Sequence, residues 1–165
     1  MDFNHFDEQG HAVMVDVSAK QKTLRTAIVG ATVHLSPAVY AAIQDGGVAK
    51  GDVLGTARLA GIMAAKKTPE LIPLSHPLAL HSVAVEFTPV AAEHRIDIAC
   101  TVRAYERTGV EMEAMTGASV AALTIYDMCK GSDKSIRIGN VQLLFKEGGK
   151  SGTFRRETSS ERDLR

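Results

Sequence analysis

A histidine stands between apolar neighbours in the segment Leu74-Ser75-His76-Pro77-Leu78, just after a proline-punctuated turn. The imidazole changes charge near neutral pH, so His76 could act as an acid, as a base or as a donor to a phosphate group. A structural histidine that bonds to the backbone would explain the same residues, because histidine side chains are often partly buried. These residues alone leave both interpretations open.

Two carboxylates lie two residues apart at Glu111 and Glu113, where Val110, Met112 and Ala114 surround them. At the start of a long helical segment, acidic side chains could simply complement the positive end of the helix dipole. Carboxylates among apolar residues could instead accept hydrogen bonds from the amino and imino groups of a polar ring. The second interpretation predicts a binding site at the beginning of this helix.

Asp127 and Lys130 lie three residues apart, which places them on one face of the same helix. A solvent-exposed ion pair is the simplest explanation of this spacing. The alternative is a proton-transfer site, in which Asp127 is a base whose charge the neighbouring ammonium tunes and which acts with a lysine of lowered pKa.

A cation at Lys50 stands just before Asp52, the predicted cap of a helix. A positive charge there interacts unfavourably with the helix dipole and does not stabilise the protein unless an anion also binds. This position therefore predicts a phosphate site. Arg25 in the first predicted strand and Lys146 at the end of the last strand could add positive charge, although each is unremarkable as a solvated strand-end residue.

Several familiar motifs are missing from the sequence. Gly149-Lys150-Ser151 resembles the end of a phosphate-binding loop, but the first glycine of that motif would fall on Leu144 and no helix is predicted to follow. The histidines show no HExxH spacing and no serine stands in a GxSxG elbow, so neither a built-in transition-metal site nor a serine hydrolase is expected. The only cysteines, Cys100 and Cys129, are far apart and are expected to be free thiols.

Composition limits the class of protein. The 165 residues are 45% hydrophobic, which suffices for one globular domain with a substantial core. Nineteen basic and nineteen acidic residues give a formal net charge of zero, so binding to nucleic acid or to an anionic membrane is not expected. With neither a signal peptide nor an 18-residue apolar run, the chain is expected to be cytoplasmic.

Hydrophobic periodicity predicts the elements that position these residues. Apolar residues alternate from Ala27 to Leu35, and again over 82–87, 95–105 and 136–145, which indicates four strands. The last of these is broken near Gly139-Asn140. Ser36-Pro37 and Asp52 cap two helices that end near Gly46 and Lys67, and a longer helix covers 110–130.

This order predicts an α+β fold of the ferredoxin-like type, a split βαβ with helices on one face of an antiparallel sheet. We expect one catalytic domain over 13–147, between flexible tails at 1–12 and 148–165. The alternation of Val13, Val15 and Val17 indicates a short edge strand or an arm facing a partner. A second subunit or this N-terminal strand is expected to cover the open sheet face.

The long helix constrains the site. Glu113 and Asp127 are fourteen residues apart, so on one continuous helix they lie about 21 Å from each other. A small substrate cannot reach both within one chain. A site that uses both must therefore form across a subunit boundary.

Four segments together identify a family. In chain order they are KGDVL at 50–54 with TARLAGIMAAK at 56–66, LIPLSHPL at 71–78, RTGVEMEAMT at 107–116 and SVAALTIYDMCK at 119–130. They resemble the MoaC-type cyclic pyranopterin monophosphate synthases of molybdenum cofactor biosynthesis, over residues 5–152. One departure is Ser75, where the family commonly has cysteine, so a thiol nucleophile is not expected.

The resemblance implies a lyase that converts (8S)-3′,8-cyclo-7,8-dihydroguanosine 5′-triphosphate to cyclic pyranopterin monophosphate and pyrophosphate. It implies a homohexamer, a trimer of dimers with sites at the dimer interface, that requires no cofactor, although Mg²⁺ could accompany the triphosphate. By similarity, Asp127, Lys50 and Lys130 are catalytic. The implied substrate-binding residues are Leu74, Ser75, His76, Met112 and Glu113, with Glu111, Arg25 and Lys146 as weaker matches.

Two other classes of protein stay open. A nucleotide-binding regulatory module could use the same architecture, and it would bind the ligand without forming product. A purely structural oligomer would tolerate replacement of Lys50, His76 or Asp127. Neither explains why four polar clusters interrupt otherwise apolar segments.

Overall fold

The fold was analysed in a computed structural model, which describes residues 5–46, 48 and 51–157. Within them the chain forms one mixed sheet-and-helix unit, in which all strand pairs are antiparallel. The elements are β1 (Thr23–His34), α1 (Pro37–Gln44), α2 (Val53–Lys66), α3 (Thr68–Leu71), β2 (Leu80–Val90), a single 3₁₀ turn (Ala91–Glu93), β3 (Arg95–Glu106), α4 (Glu111–Cys129), β4 (Arg137–Glu147) and β5 (Phe154–Arg155).

The four long strands follow the predicted alternation. In the sheet they stand in the order β2-β3-β1-β4, and the two-residue β5 extends the β4 edge. The predicted break in the last strand is present, since Asn140 has a φ of 51° and the register of β1 against β4 shifts near it. That irregularity is typical of a bulge, which re-aims the side chains that follow.

The predicted capping residues begin the first two helices. The Ser36 side chain accepts a hydrogen bond from the Val39 amide, and the Asp52 carboxylate accepts one from the Gly55 amide at 2.7 Å. Each bond satisfies an amide that the first helical turn leaves free. These caps fix where the chain leaves β1 and where α2 begins.

The core lies between one face of the sheet and the helices. On β1, Ala27, Val29, Ala31 and Val33 are almost fully buried, and α4 packs across β1 and β3 with its small residues inward. Helix α2 crosses α4 so closely that a side chain on Gly61 would meet the backbone of α4. The dense packing holds α4, which carries Glu111, Met112, Glu113 and Asp127 of the candidate site, rigidly on the sheet.

The N-terminal segment forms no edge strand, which corrects one of its two predictions. Val13, Val15 and Val17 are all described and lie outside every strand, while the alternative of an arm facing a partner stays a prediction. Phe6 and Ala12 form an isolated bridge, and the His76 side chain contacts the Val15 carbonyl oxygen. The alternation of three valines is too short to select a strand without a paired neighbour.

Candidate functional site

Helix α4 separates the candidate residues into two groups. The helix is continuous from Glu111 to Cys129, with Glu113 in its first turn and Asp127 in its last. At 1.5 Å per residue these side chains begin about 21 Å apart, as the sequence predicted. The two ends of α4 therefore form two separate surfaces of one chain.

A cavity of about 230 Å³ opens at the first turn of α4. It brings the LSHPL segment beside the paired glutamates, although 33 residues separate them in the sequence. Six of the predicted substrate-binding residues line it, namely Leu74, Ser75, His76, Glu111, Met112 and Glu113, together with residues such as Val15, Lys20 and Thr108.

Glu113 is the most unusual side chain in this cavity. It is only 2% exposed, and its Oε1 has no hydrogen-bond partner among the described residues. Burial, with a smaller effect from the charge of Glu111, raises the pKa of Glu113 to about 7. A buried acceptor without a donor is costly in a folded protein, and it is what a ligand with N–H groups could satisfy.

His76 has a defined partner at the rim of the cavity. Its Nε2 lies 2.8 Å from the carbonyl oxygen of Val15 in the N-terminal segment. Because a carbonyl oxygen only accepts, Nε2 carries the proton and donates it. The backbone-bonded interpretation of His76 is correct in this state, and the same contact holds the N-terminal segment beside the cavity.

A second cavity, of about 260 Å³, adjoins the first and is lined by cations. It contains the predicted Arg25 and Lys146, and three basic residues that the sequence analysis did not select, namely Lys20, Arg107 and Lys150. Four residues line both cavities: Lys20, Thr108, Gly109 and Glu111. A ligand with a polar ring and a phosphate chain could extend from one cavity to the other.

Arg25 is not the solvated strand-end residue expected from the sequence. It is 8% exposed, and its Nε and Nη2 donate to the carbonyl oxygens of Glu106 and Arg107, each at 3.1 Å. The guanidinium is buried because β3 ends beside it and offers these carbonyls. Arg25 therefore fixes the turn after β3, which forms one wall of both cavities.

Lys146 lies between two partners. Its Nζ is 2.9 Å from Glu111 Oε1 and 3.2 Å from Ser151 Oγ. Both members of the ion pair are about three-quarters buried, with exposed fractions of 27% and 28%. The ammonium is thereby held at the wall of the cation-lined cavity and is available to an anion that competes with Glu111.

At the far end of α4, Asp127 and Lys130 form the predicted ion pair. Lys130 Nζ is 2.6 Å from Asp127 Oδ1, and the side chains are 50% and 64% exposed, respectively. The hydrogen bond from Lys130 to Asp127 raises the pKa of the lysine. The adjacent carboxylate stabilises the ammonium, so within one chain Lys130 is not the lysine of lowered pKa that the proton-transfer interpretation expects.

Lys50 lies outside the described residues. Val48, two positions earlier, lines a cavity of about 330 Å³ together with Cys129 and Ser132. Val48 therefore lies near the end of α4 that carries Asp127 and Lys130. The structure brings Asp127 and Lys130 together, but separates them from the Glu113 group.

The described part of the chain contains no group of three metal-ligating side chains of the His, Cys, Asp or Glu type. Among the same residues, no helix is both long and apolar enough to cross a membrane. Cys100 and Cys129 are both buried, and burial raises the pKa of Cys100 to about 12.

The sequence is similar to known proteins over almost its whole length. A family model described as "MoaC family" matches residues 14–149. The chain is 73% identical over 157 residues to the cyclic pyranopterin monophosphate synthase of Pelobacter propionicus, which covers 95% of this chain and 98% of that protein. The protein of the same name from Rhodospirillum rubrum is 57% identical, over 91% of this chain and 90% of its own length. The one from Desulforamulus reducens is 52% identical, over 97% of this chain and 97% of its own length.

Proposed function

Because the chain belongs to the MoaC family, we propose that it is a cyclic pyranopterin monophosphate synthase, a phosphorus-oxygen lyase of molybdenum cofactor biosynthesis. It converts (8S)-3′,8-cyclo-7,8-dihydroguanosine 5′-triphosphate to cyclic pyranopterin monophosphate and pyrophosphate. One observation carries the proposal beyond the family match. A cation-lined cavity adjoins a cavity with an unpaired buried carboxylate, which suits a triphosphate joined to a guanine-derived ring.

In this proposal the ring enters the cavity of Glu113 and the LSHPL segment. Glu113 accepts N–H groups of the ring, which supply the partner that its Oε1 lacks. Leu74, Ser75 and Met112 line the same space and contact the ring. His76 donates from Nε2, either to the Val15 carbonyl as in the free protein or to the ligand.

The triphosphate lies along the basic residues of the adjoining cavity. Lys146 neutralises phosphate charge when the anion competes with Glu111 for its ammonium. Arg25 supports this wall through the turn after β3. Charge neutralisation and positioning supply most of the rate in such a reaction, because closure of the cyclic phosphate is intramolecular.

The chemical step moves protons and one phosphoryl group. A sugar-derived hydroxyl attacks the α-phosphorus, the bond from that phosphorus to the pyrophosphate oxygen breaks, and a base takes the hydroxyl proton. Asp127 is the proposed acid and base for the proton transfers that rebuild the ring, with Lys130 and Lys50 beside it. The 2.6 Å contact between Asp127 and Lys130 supports a role for both side chains in the same proton transfers.

Asp127 can act on a substrate held by Glu113 only if two chains share the site. We infer a ferredoxin-like protomer that assembles into a homohexamer, a trimer of dimers with sites at the dimer interface. The strand order β2-β3-β1-β4 supports that fold. Exposed apolar side chains support assembly: Leu24 and Tyr105 are paired on the sheet face away from the helices, and Leu59 and Met63 lie one turn apart on α2.

No resident cofactor is proposed, and Mg²⁺ bound with the triphosphate remains a prediction. We expect the reaction to take place in the cytoplasm. Neither expectation depends on a particular side chain of the described residues.

Turnover of the cyclised dihydro-GTP substrate tests the proposal. The purified protein should release pyrophosphate and form a pterin that becomes fluorescent on oxidation, in equal amounts, whereas Asp127→Ala should form neither. Saturable binding of the substrate without either product would contradict the enzyme and favour a nucleotide-binding module. The Asp127→Ala variant must keep the oligomeric state of the wild type, as measured by light scattering.

A further inference from the structure

We propose that the two-glycine turn Gly148-Gly149 positions the phosphate-binding wall, through the residues that follow it. The inference rests on the proposed function, since it concerns the phosphate end of that site. The turn joins β4 to Lys150 and Ser151, which line the cation-lined cavity with Lys146. It belongs to the segment that sequence analysis treated as the start of a flexible tail.

The backbone of the turn adopts a conformation that favours glycine. Gly148 and Gly149 have φ angles of 96° and 77°, in the left-handed region where a side chain is strained. Space forbids a side chain as well. A Cβ on Gly148 would overlap the carbonyl oxygen of Leu24, and a Cβ on Gly149 would overlap Nη1 of Arg25.

Arg25 cannot easily move away from such a side chain. Its Nε and Nη2 are committed to the carbonyl oxygens of Glu106 and Arg107, and the residue is buried in the sheet. The turn therefore lies directly against a fixed guanidinium. A side chain at Gly149 would have to displace either the turn or the arginine.

Displacing the turn would move the groups that face the phosphates. Ser151 Oγ accepts a hydrogen bond from Lys146 Nζ at 3.2 Å, so the position of Ser151 helps to set that of the ammonium. Lys150 stands between Gly149 and Ser151 and lines the same cavity. Gly149 is thus a positioning residue, which affects phosphate affinity without contacting the substrate.

Gly149→Ala tests this inference, and Gly152→Ala is a matched control. Gly152 also has a positive φ, of 69°, but no described atom lies within 4 Å of its added Cβ. Both variants carry the same backbone cost, and only the first meets Arg25. We expect Gly149→Ala to weaken binding of inorganic triphosphate at least tenfold relative to Gly152→Ala and to raise KM for the substrate by a similar factor, while it stays folded at the assay temperature. Equal triphosphate affinity in the two variants would overturn the inference.

Ser151→Ala decides the question if Gly149→Ala does not fold. It removes the hydroxyl that holds Lys146 without straining the backbone, and loss of one hydrogen bond predicts about three- to tenfold weaker triphosphate binding. Unchanged binding in Ser151→Ala would then overturn the inference.

The same experiments separate this inference from the proposed function. If the wild-type protein binds triphosphate but converts no substrate, the synthase activity is contradicted. The role of Gly149 can still be tested in that case, because calorimetry measures triphosphate binding without turnover. Wild-type protein with full turnover and an unaffected Gly149→Ala variant would contradict only the inference.

Discussion

At the level of single residues, Glu113 is the side chain whose placement most clearly favours ligand binding at the expense of protein stability. Its carboxyl group is buried, its Oε1 has no donor among the described residues, and Met112 and Leu74 beside it offer none from their side chains. Folding therefore places an acid where its charged form is disfavoured. Such a cost is expected where a ligand supplies the missing hydrogen bonds.

Replacing Glu113 with glutamine should stabilise the protein at alkaline pH. The folded pKa of about 7 exceeds the ordinary 4.5, so between these values the unfolded chain binds fewer protons and stability falls as pH rises. Above pH 7 the ionised Glu113 lowers the free energy of unfolding by its full amount, about 3 kcal/mol. Urea unfolding at fixed protein concentration should show Glu113→Gln gaining over wild type at pH 8 and gaining less at pH 5. An equal difference at both pH values would contradict the burial of the acid, whatever happens to turnover.

Asp127 and Lys130 should be replaceable without loss of stability, but not without loss of activity. Their ion pair is solvent-exposed, so its removal should leave Tm nearly unchanged. Loss of an acid-base group typically reduces a rate by roughly 10²- to 10⁴-fold, which we expect in kcat for Asp127→Asn. Lys130→Ala and Lys50→Ala should likewise abolish turnover with assembly intact.

Lys22→Met is the control for these variants. It removes another ion pair, in which the exposed Lys22 Nζ lies 3.1 Å from Oε1 of the mostly buried Glu106, and neither residue lines either cavity. This variant should keep the wild-type kcat. Assembled Asp127→Asn or Lys130→Ala protein with kcat equal to that of Lys22→Met would remove the pair from the catalytic machinery.

Among the elements, the end of α4 depends on a carboxylate that follows it. The amides of Ser132 and Asp133 both donate to the Cys129 carbonyl, so the chain turns tightly after the helix. The Asp133 side chain then accepts from the Ser36 amide at 3.2 Å and from the Ser135 amide at 2.7 Å. This carboxylate connects the last turn of α4, with Lys130 next to it, to the start of α1.

Asp133→Ala should lower both Tm and kcat, because it releases the end of α4 from the β1–α1 connection. Ser135→Ala is a milder comparison, since it removes only the hydroxyl that donates to Asp133 Oδ1 and leaves the backbone amide in place. Thermal unfolding and turnover of the two variants measure the difference. An Asp133→Ala protein as stable and active as Ser135→Ala would show that α4 is held by packing alone.

Periodicity predicted the elements well, because each buried face repeats at the spacing of its own secondary structure. Alternation found β1 and β3, and Ser36 and Asp52 marked the helix starts through their capping bonds. The burial of Arg25 was missed, since it depends on carbonyls some 80 residues away. No local pattern could have selected Lys20 and Arg107, and the motif around Lys150 does not fit a phosphate-binding loop, so only the fold gathers the three residues into one cavity.

For the whole molecule, a chain with a formal net charge of zero brings five of its 19 basic side chains to one cavity. Two carboxylates, Glu111 and Glu147, line the same cavity, so positive charge is in excess there. This local charge favours a polyanion, while overall neutrality avoids attraction to nucleic acid. The opposite end of α4 carries the proposed proton-transfer pair, so in the proposed mechanism each chain contributes two half-sites.

Complementation between two inactive variants tests the shared site most directly. In a dimer with sites between chains, one Glu113→Ala subunit and one Asp127→Ala subunit together form one intact site and one site that lacks both residues. Random pairing of equal amounts should therefore restore about a quarter of wild-type turnover, although each variant alone is inactive. Co-expressed variants that form mixed oligomers by mass spectrometry but stay at the background rate would contradict a site built from both ends of α4.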